Sequence, residues 1–350
     1  MNLSLFLTEI AETVRKTERE AGFLPLTPPE LEEASRAYFA RGGKFIRPAL
    51  ALSIAAALGG NEGAERARFP ACAAELFHLF TLVHDDVIDH DTLRRGEDAA
   101  HVLAAKKSGV SPQSKAEEYG VSIAVLAGDA LFSRAVELLT KAPHLSDAVR
   151  LLITQKLVSD TLPKLLSGEA VDTRLGYAQN APTEKELSTV YRNKTGVLFE
   201  FCLFAGAVCA QNAPLSPELE RAIAHAAAHI GEAFQLTDDY LGLTADEKTL
   251  GKSALSDIRE GKETFFVFFA RKTARKHDVA FLDSVLGDDA ASERDVLRAR
   301  DLLLHYGTEP YEARIRAAKK EAGRLLSLLP EYEAREVLSA LFERMIYREK

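Results

Sequence analysis

The sequence predicts an all-α protein, an expectation that rests on three observations. Apolar residues recur at the three-and-four spacing of helices nearly throughout, strong helix formers (Ala, Leu, Glu, Lys, Arg) dominate, and alternating runs of β-branched residues are absent. With 350 residues, 47% of them hydrophobic, the chain can bury a large core. No short repeat, low-complexity tract or interdomain linker stands out, so a single domain spanning 1–350 is expected.

Taken in order, the elements are framed as follows. Asn61-Glu62-Gly63 and Pro70 bracket one boundary. From Pro70 to Asp91 the chain is apolar on nearly every side until it reaches charge, the pattern of a helix in the middle of a bundle. Ser108-Gly109, Ser111-Pro112 and several charges interrupt the period, so Lys106 to Glu118 reads as a loop. Thr183 followed by Glu186 makes a capping box opening a helix that runs past Glu200. Ser216-Pro217-Glu218 opens another with proline in its first turn. The stretch from Ala222 to Leu243 is a second mostly apolar helix ending in acids, and Thr244 to Lys262 reads as a loop.

Composition narrows the function classes. Asp plus Glu number 52 against 44 Lys plus Arg, a net charge of -8, which argues against a nucleic-acid partner because duplex binding needs a dominant basic face. Cys72, Cys202 and Cys209 are odd in number, sit in apolar stretches and lack CxxC spacing, so reduced core thiols are expected rather than a disulfide framework or zinc site. The N-terminus meets charge by Glu9 and has no secretory pattern. The apolar runs Val121 to Ala127 and Phe199 to Ala210 are too short to cross a bilayer. A cytoplasmic protein without a transmembrane segment is the expectation.

Two acidic clusters carry the chemistry. Asp85, Asp86 and Asp89 close the first apolar helix; Asp85 and Asp89, four apart, share a face, while Asp86 points about a quarter-turn away. Carboxylate oxygens without nitrogen or sulfur suit magnesium. Negative charge at a helix C-terminus is unfavourable alone, so compensating cations are expected. A solvated acidic helix end would explain one such cluster. Gln235, Asp238 and Asp239 end the second apolar helix in the same way, and two such transitions are harder to explain as surface. Cations lie beside glycines that permit close approach of a ligand: Gly43-Lys44 with Arg47, Arg94-Arg95-Gly96, Lys194-Thr195-Gly196, Gly251-Lys252 and Gly261-Lys262. Each alone reads as an ordinary surface cation; together they describe two anion sites beside a metal cluster.

In this order, with Leu126-Ala127-Gly128-Asp129, Gly168 and Asp172, these motifs resemble the trans-isoprenyl diphosphate synthases, or polyprenyl synthetases, over about residues 40 to 265. The resemblance implies the isoprenoid synthase fold, antiparallel helices around a large central cavity, usually as a homodimer. It implies magnesium bridging an allylic diphosphate to Asp85, Asp89 and Asp238, with Asp86 and Asp239 in support. Arg94, Lys194, Lys252 and Lys262 would grip that diphosphate, and Lys44, Arg47, His78 and Arg95 would hold isopentenyl diphosphate. Gln235 and Thr195 would face the allylic cation. Phe80 and Thr81, five and four residues before Asp85, match positions that limit chain length, and this pair looks most like geranylgeranyl diphosphate synthases, with farnesyl diphosphate the runner-up. Phe80 as plain core packing is the bland alternative. The sequence departs from the family where Gly242 replaces the third Asp of the second motif, for which Asp246 is a candidate replacement. It departs again where Glu97-Asp98-Ala99 follows Gly96 in place of a Pro-Thr. A terpene cyclase would not need the second anion site, and a non-catalytic partner subunit would have lost the aspartates.

Overall fold

Helix-period patterning is realised as helix nearly everywhere. The computed structural model describes residues 3–177, 181–245, 255–288, 290–330 and 333–347. Among these the strands are two short ones, β1 Leu93–Arg94 and β2 Glu97–Asp98, paired antiparallel. The chain divides into two compact units, one of Met1–Asp160, Phe201–Glu220 and Leu329–Leu341, the other of Thr161–Glu200, Arg221–Leu328 and Phe342–Lys350.

In the first unit run α1 (Leu3–Ala21), α2 (Pro29–Ala40), α3 (Ile46–Ile88), α4 (Ala100–Lys107), α5 (Gln113–Thr140) and α6 (Asp147–Gln155). As the pattern predicts, α3 is buried on all sides along Ala71, Cys72, Ala73, Ala74, Leu76 and Phe77, and it packs most extensively on α5. The boundary expected at Asn61-Glu62-Gly63 and Pro70 is corrected. The helix changes direction at Gly60 alone (φ 59°, ψ −152°), and Pro70 lies inside the second segment. A single glycine in a backbone region closed to other residues absorbs the kink, so no loop is required. The loop expected from Lys106 to Glu118 shrinks to 108–112. Lys115, Glu117 and Glu118 are exposed while Ala116 is buried, so those charges mark the outer face of α5, not an interruption. The three cysteines are buried free thiols.

Arg134 of α5 ties α2 and its approach segment to the core. Its buried guanidinium donates to Glu32 Oε2 (2.8 Å), Ser35 Oγ (3.2 Å) and the Leu24 carbonyl (3.4 Å). Glu32 also accepts from the Leu26 N–H (2.9 Å) and from Arg36.

The second unit holds α7 (Leu162–Gly176), α8 (Glu184–Val190) and a π-helical turn (Tyr191–Gly196) that leads into α9 (Val197–Gln211), whose later residues belong to the first unit. There follow most of α10 (Pro217–Thr244), then α11 (Ser256–Arg259), α12 (Phe265–Thr273), α13 (Lys276–Val285), α14 (Glu293–Ser327) and the end of α15 (Glu333–Tyr347). The capping box forms: Thr183 Oγ1 accepts from the Glu186 N–H (3.3 Å) and Glu186 Oε2 from the Thr183 N–H (2.8 Å). Ser216 Oγ caps α10 by accepting from the Leu219 N–H (3.3 Å). Leu243, Ile258, Phe266, Val267, Leu282 and Leu303 form a core of this unit.

The continuous helical stretch Glu184–Gln211 is long and apolar enough to cross a membrane by length and composition, which scoring Phe199 to Ala210 alone does not register. Of its most apolar window 83% is buried within the protein, as in a core helix.

Burial opposes ionisation of Glu32, yet the hydrogen bonds from Arg36, the Leu26 N–H and Arg134 prevail and hold its carboxyl down at about 2. A carboxyl depressed in the folded state stabilises above its unfolded value and loses that contribution as pH falls toward the folded one. Glu32→Gln should therefore lower the urea midpoint at pH 7, by an amount that shrinks below pH 4.5. A deficit independent of pH would show that the charge is not what matters.

Candidate active site

The first motif ends α3. Asp89 still bonds back to the helix, its N–H donating to the Asp85 carbonyl (2.8 Å), and His90 (φ 58°) turns the chain in the left-handed region. The Asp91 N–H then reaches the Asp86 carbonyl (2.9 Å), the 6→1 bond of a Schellman cap. From there β1 and β2 form a hairpin whose two turn residues, Arg95 (φ 57°) and Gly96 (φ 80°), both have positive φ as a type I′ turn demands. This hairpin occupies the Arg94-Arg95-Gly96 segment and returns Arg94 to the helix end.

The adjacent aspartates divide their tasks. Asp86 is fully buried, accepts from the Tyr38 hydroxyl and is paired with Arg94. Tyr38 Oη in turn accepts from the Ala100 N–H (2.9 Å) at the start of α4. Asp85 stays partly open to solvent, 3.7 Å from Arg94, and Asp89 is exposed. His84, just before them, packs against α5 at Gly128, where a Cβ would lie 2.2 Å from His84 Nε2. Gly128 of the Leu-Ala-Gly-Asp motif is thus a packing requirement.

Beneath this end lies a basic cluster. Arg47, Glu75, His78 and Arg95 lie close enough for their charges to act on one another; Arg95 also donates to the Tyr38 carbonyl (3.5 Å), while Lys44 is exposed. Burial lowers the Arg47 pKa despite the attraction of Glu75, and raises that of Glu75 despite Arg47 and Arg95. Burial, then the charges of Arg47, Arg95 and Arg94, push His78 well below its ordinary value, so it is a neutral imidazole.

The second motif ends α10. Asp239 is buried and accepts from the Tyr191 hydroxyl, which itself accepts from the Phe265 N–H (3.4 Å) at the start of α12. Burial pushes the Asp239 carboxyl up to about 7, against hydrogen bonds from Tyr191 and Gln235 and the attraction of Lys262. Asp238, partly exposed, is the outward member of the pair. The π-helical turn carries Lys194, bonded to Asp172 (2.9 Å) and Glu169 (3.0 Å), and the buried Thr195. The Lys262 side chain reaches solvent, yet Asp239, Asp257 and Asp172 outweigh desolvation and raise its pKa. Lys252 and Asp246 lie outside the described residues.

Among the described residues no three His, Cys, Asp or Glu side chains form a ready-made metal cage. Each motif offers a partial set of carboxylate oxygens instead. That set fits magnesium, which keeps waters and substrate phosphate oxygens in its shell.

Down the helix from Asp85, Phe80 is buried among rings, with centroids 4.9 Å from His84, 5.4 Å from Phe77 and 5.5 Å from Phe132 of α5. Thr81 Oγ1 donates to the His78 carbonyl (2.8 Å), so its hydroxyl is satisfied within the helix. A crevice of about 910 Å³ in this unit, beside Gly59 and Gly60, is lined by none of these residues.

Sequence reasoning missed Tyr38, Tyr191, Glu75, Phe132 and Asp257. Glu75 alone left a signal, a charge inside an apolar helix three residues before His78.

Comparison with known proteins shows the family and the fold. The polyprenyl synthetase family model matches residues 28–303. A short chain isoprenyl diphosphate synthase of Methanothermobacter thermautotrophicus is 36% identical over 330 residues, covering 93% of this chain and 92% of that one. The crystal structure of a geranylgeranyl pyrophosphate synthetase from Pyrococcus horikoshii superposes with a TM-score of 0.83 at 32% identity, covering 99% and 98% of the two chains. A geranylgeranyl pyrophosphate synthase from Corynebacterium glutamicum, solved with isoprenyl diphosphate and magnesium, gives 0.79 at 26% identity over the full length of both. The chain belongs to the polyprenyl synthetase family. It has the all-α isoprenoid synthase fold and is a prenyltransferase.

Asp86→Ala should destabilise the protein by about 1–3 kcal/mol, since it strips Tyr38 and Arg94 of their shared acceptor. Urea unfolding measures this, and an unchanged midpoint would mean that the buried carboxylate holds nothing in place.

Proposed function

We propose that the chain condenses isopentenyl diphosphate head-to-tail with an allylic diphosphate to give geranylgeranyl diphosphate. The observation that carries this reading is the outward-facing aspartate of each motif, Asp85 and Asp238, each set beside a buried, tyrosine-bonded neighbour, with Arg94 3.7 Å from Asp85 and the charge of Lys262 acting on Asp239, the neighbour of Asp238. On this reading the two compact units act as one catalytic domain.

Asp85, Asp89 and Asp238 are the proposed metal ligands, and Asp86 and Asp239 hold the motifs in shape. Bound magnesium would neutralise charge on the departing diphosphate. Arg94, Lys194, Lys252 and Lys262 grip the same leaving group, fixed positive charge where negative charge develops. Lys44, Arg47 and Arg95 bind the diphosphate of isopentenyl diphosphate, and neutral His78 serves as a hydrogen-bonding partner. The allylic C–O bond breaks as the diphosphate departs, leaving an allylic carbocation that the double bond of isopentenyl diphosphate attacks. The new carbocation then loses a proton to the released diphosphate, so no protein nucleophile is needed. Thr195 and Gln235 turn oxygen dipoles toward the cation, and apolar walls exclude the water that would quench it.

The ring cluster of Phe80, Phe77 and Phe132 supports a floor that stops growth at a short chain. A homodimer through α5 is supported by its stripe of exposed Val121, Val125 and Leu126, one helix face too apolar for a comfortable solvent surface. Buried, unlinked thiols fit a reducing, cytoplasmic setting.

Incubating the purified chain with magnesium, isopentenyl diphosphate and dimethylallyl, geranyl or farnesyl diphosphate, then sizing the products, tests the assignment. Geranylgeranyl diphosphate is expected, and no consumption of isopentenyl diphosphate would refute prenyl transfer. Asp85→Ala should abolish turnover while circular dichroism stays that of the parent; a folded variant with near-normal turnover would remove Asp85 from the metal site. Phe80→Ala should lengthen the product, and an unaltered length distribution would move the floor elsewhere.

A further inference from the structure

Gly242 stands four residues after Asp238, on the same face of α10, where a third aspartate would extend the second motif. Its bare α-carbon is not open space. A Cβ built there would lie 3.2 Å from Asp257 Oδ2 and 4.0 Å from Asp257 Cγ, a contact tighter than ordinary packing. The carboxylate of Asp257, from α11, therefore sits where a side chain on residue 242 would project. Its charge acts on both Asp239 and Lys262, so it belongs to the same electrostatic cluster. The backbone delivering it is strained: Leu255, two residues earlier, is a bulky residue held at φ 61°, a conformation kept only where surrounding contacts enforce it.

We propose that Asp257 takes the place of the missing third aspartate, supplying the outer carboxylate of the second motif to the divalent cation and diphosphate held by Asp238. The assignment rests on the prenyl-transfer reading and deepens it at one residue. It favours a small residue at 242, because a side chain there would press against Asp257 Oδ2, and an acidic one would set two like charges side by side. Glycine at 242 and aspartate at 257 are then two halves of one arrangement, with the acid moved from the helix face to the neighbouring turn. Asp257 acts as a positioning residue, setting how firmly the metal-bound leaving group is held. It transfers no proton and touches no reacting carbon.

The decisive experiment is calorimetric titration of the full-length chain with geranyl S-thiolodiphosphate, an unreactive allylic analogue, at a series of Mg2+ concentrations, without isopentenyl diphosphate. Asp257→Ala should need about 10- to 100-fold more Mg2+ for half-maximal binding, with an unchanged circular dichroism spectrum. Gly242→Asp in the otherwise intact chain should also weaken binding, because it forces a second carboxylate onto Asp257. The double variant Gly242→Asp with Asp257→Ala should bind more tightly than either single variant, since it returns one carboxylate to that space. A purely structural role for Asp257 would give no such reciprocal rescue. Parent-like Mg2+ dependence in Asp257→Ala, or a double variant no better than the single ones, overturns the assignment of Asp257 while leaving prenyl transfer standing. Absence of Mg2+-dependent binding by the unaltered chain would overturn both.

Discussion

Two buried carboxylates fix the geometry on which the chemistry relies. In each acidic motif a pair of adjacent aspartates ends a mostly apolar helix, and successive side chains on a helix point about 100° apart. One member must therefore face inward if the other faces out. Burying a carboxylate is unfavourable unless donors meet it. Tyr38 does this for Asp86 and Tyr191 for Asp239, each lying 48 residues upstream of its partner. Each tyrosine oxygen also accepts the N–H of the first residue of a following helix, Ala100 of α4 and Phe265 of α12. The inward aspartate thus locks the rotation of its helix, and with it the direction in which Asp85 or Asp238 is presented. The locks differ in one respect. Asp86 has a guanidinium in direct contact, whereas Asp239 depends on neutral donors and a more distant ammonium, which is why burial still lifts its carboxyl to about 7.

The cations are arranged with the same economy. Arg47, Arg94 and Arg95 act on His78, with Glu75 as the buried counter-charge, and burial above all lowers the pKa of Arg47 and Arg95, raises that of Glu75 and, with the arginines, keeps His78 neutral. Every one of these shifts disfavours the charged form of its group in the unliganded protein. A doubly or triply charged diphosphate entering such a cluster would relieve repulsion among the arginines, so its binding draws on electrostatic energy built in by folding.

Most of the fold and the outward-facing site residues were legible because they depend on local pattern. Helix period, the capping box at Thr183, proline at the head of α10 and the Asp-Asp pairs all act within a few residues. The misplaced boundary near Asn61 and the overlong loop before Glu118 have local causes too. Gly60 can bend a helix without ending it, and charges on an outer face look like a break when only apolar residues are counted. What the sequence hid is tertiary. Nothing in spacing says that Tyr38 will meet Asp86, that Phe132 will close on Phe80, or that Asp257 will fill the gap above Gly242, since each pairing is made by the packing of separate elements. The Arg95-Gly96 turn lies between: its glycine was visible, but the left-handed arginine that completes the hairpin was not.

The proposed function assigns carboxylates of both acidic motifs to one metal-bridged allylic diphosphate. The most direct test is a crystal structure of the chain with Mg2+ and an unreactive allylic diphosphate analogue. The account predicts cations coordinated by Asp85 and Asp89 on one side and Asp238 on the other, sharing the oxygens of one diphosphate. An analogue bound through the first motif alone, with Asp238 remote from metal and diphosphate alike, would contradict it.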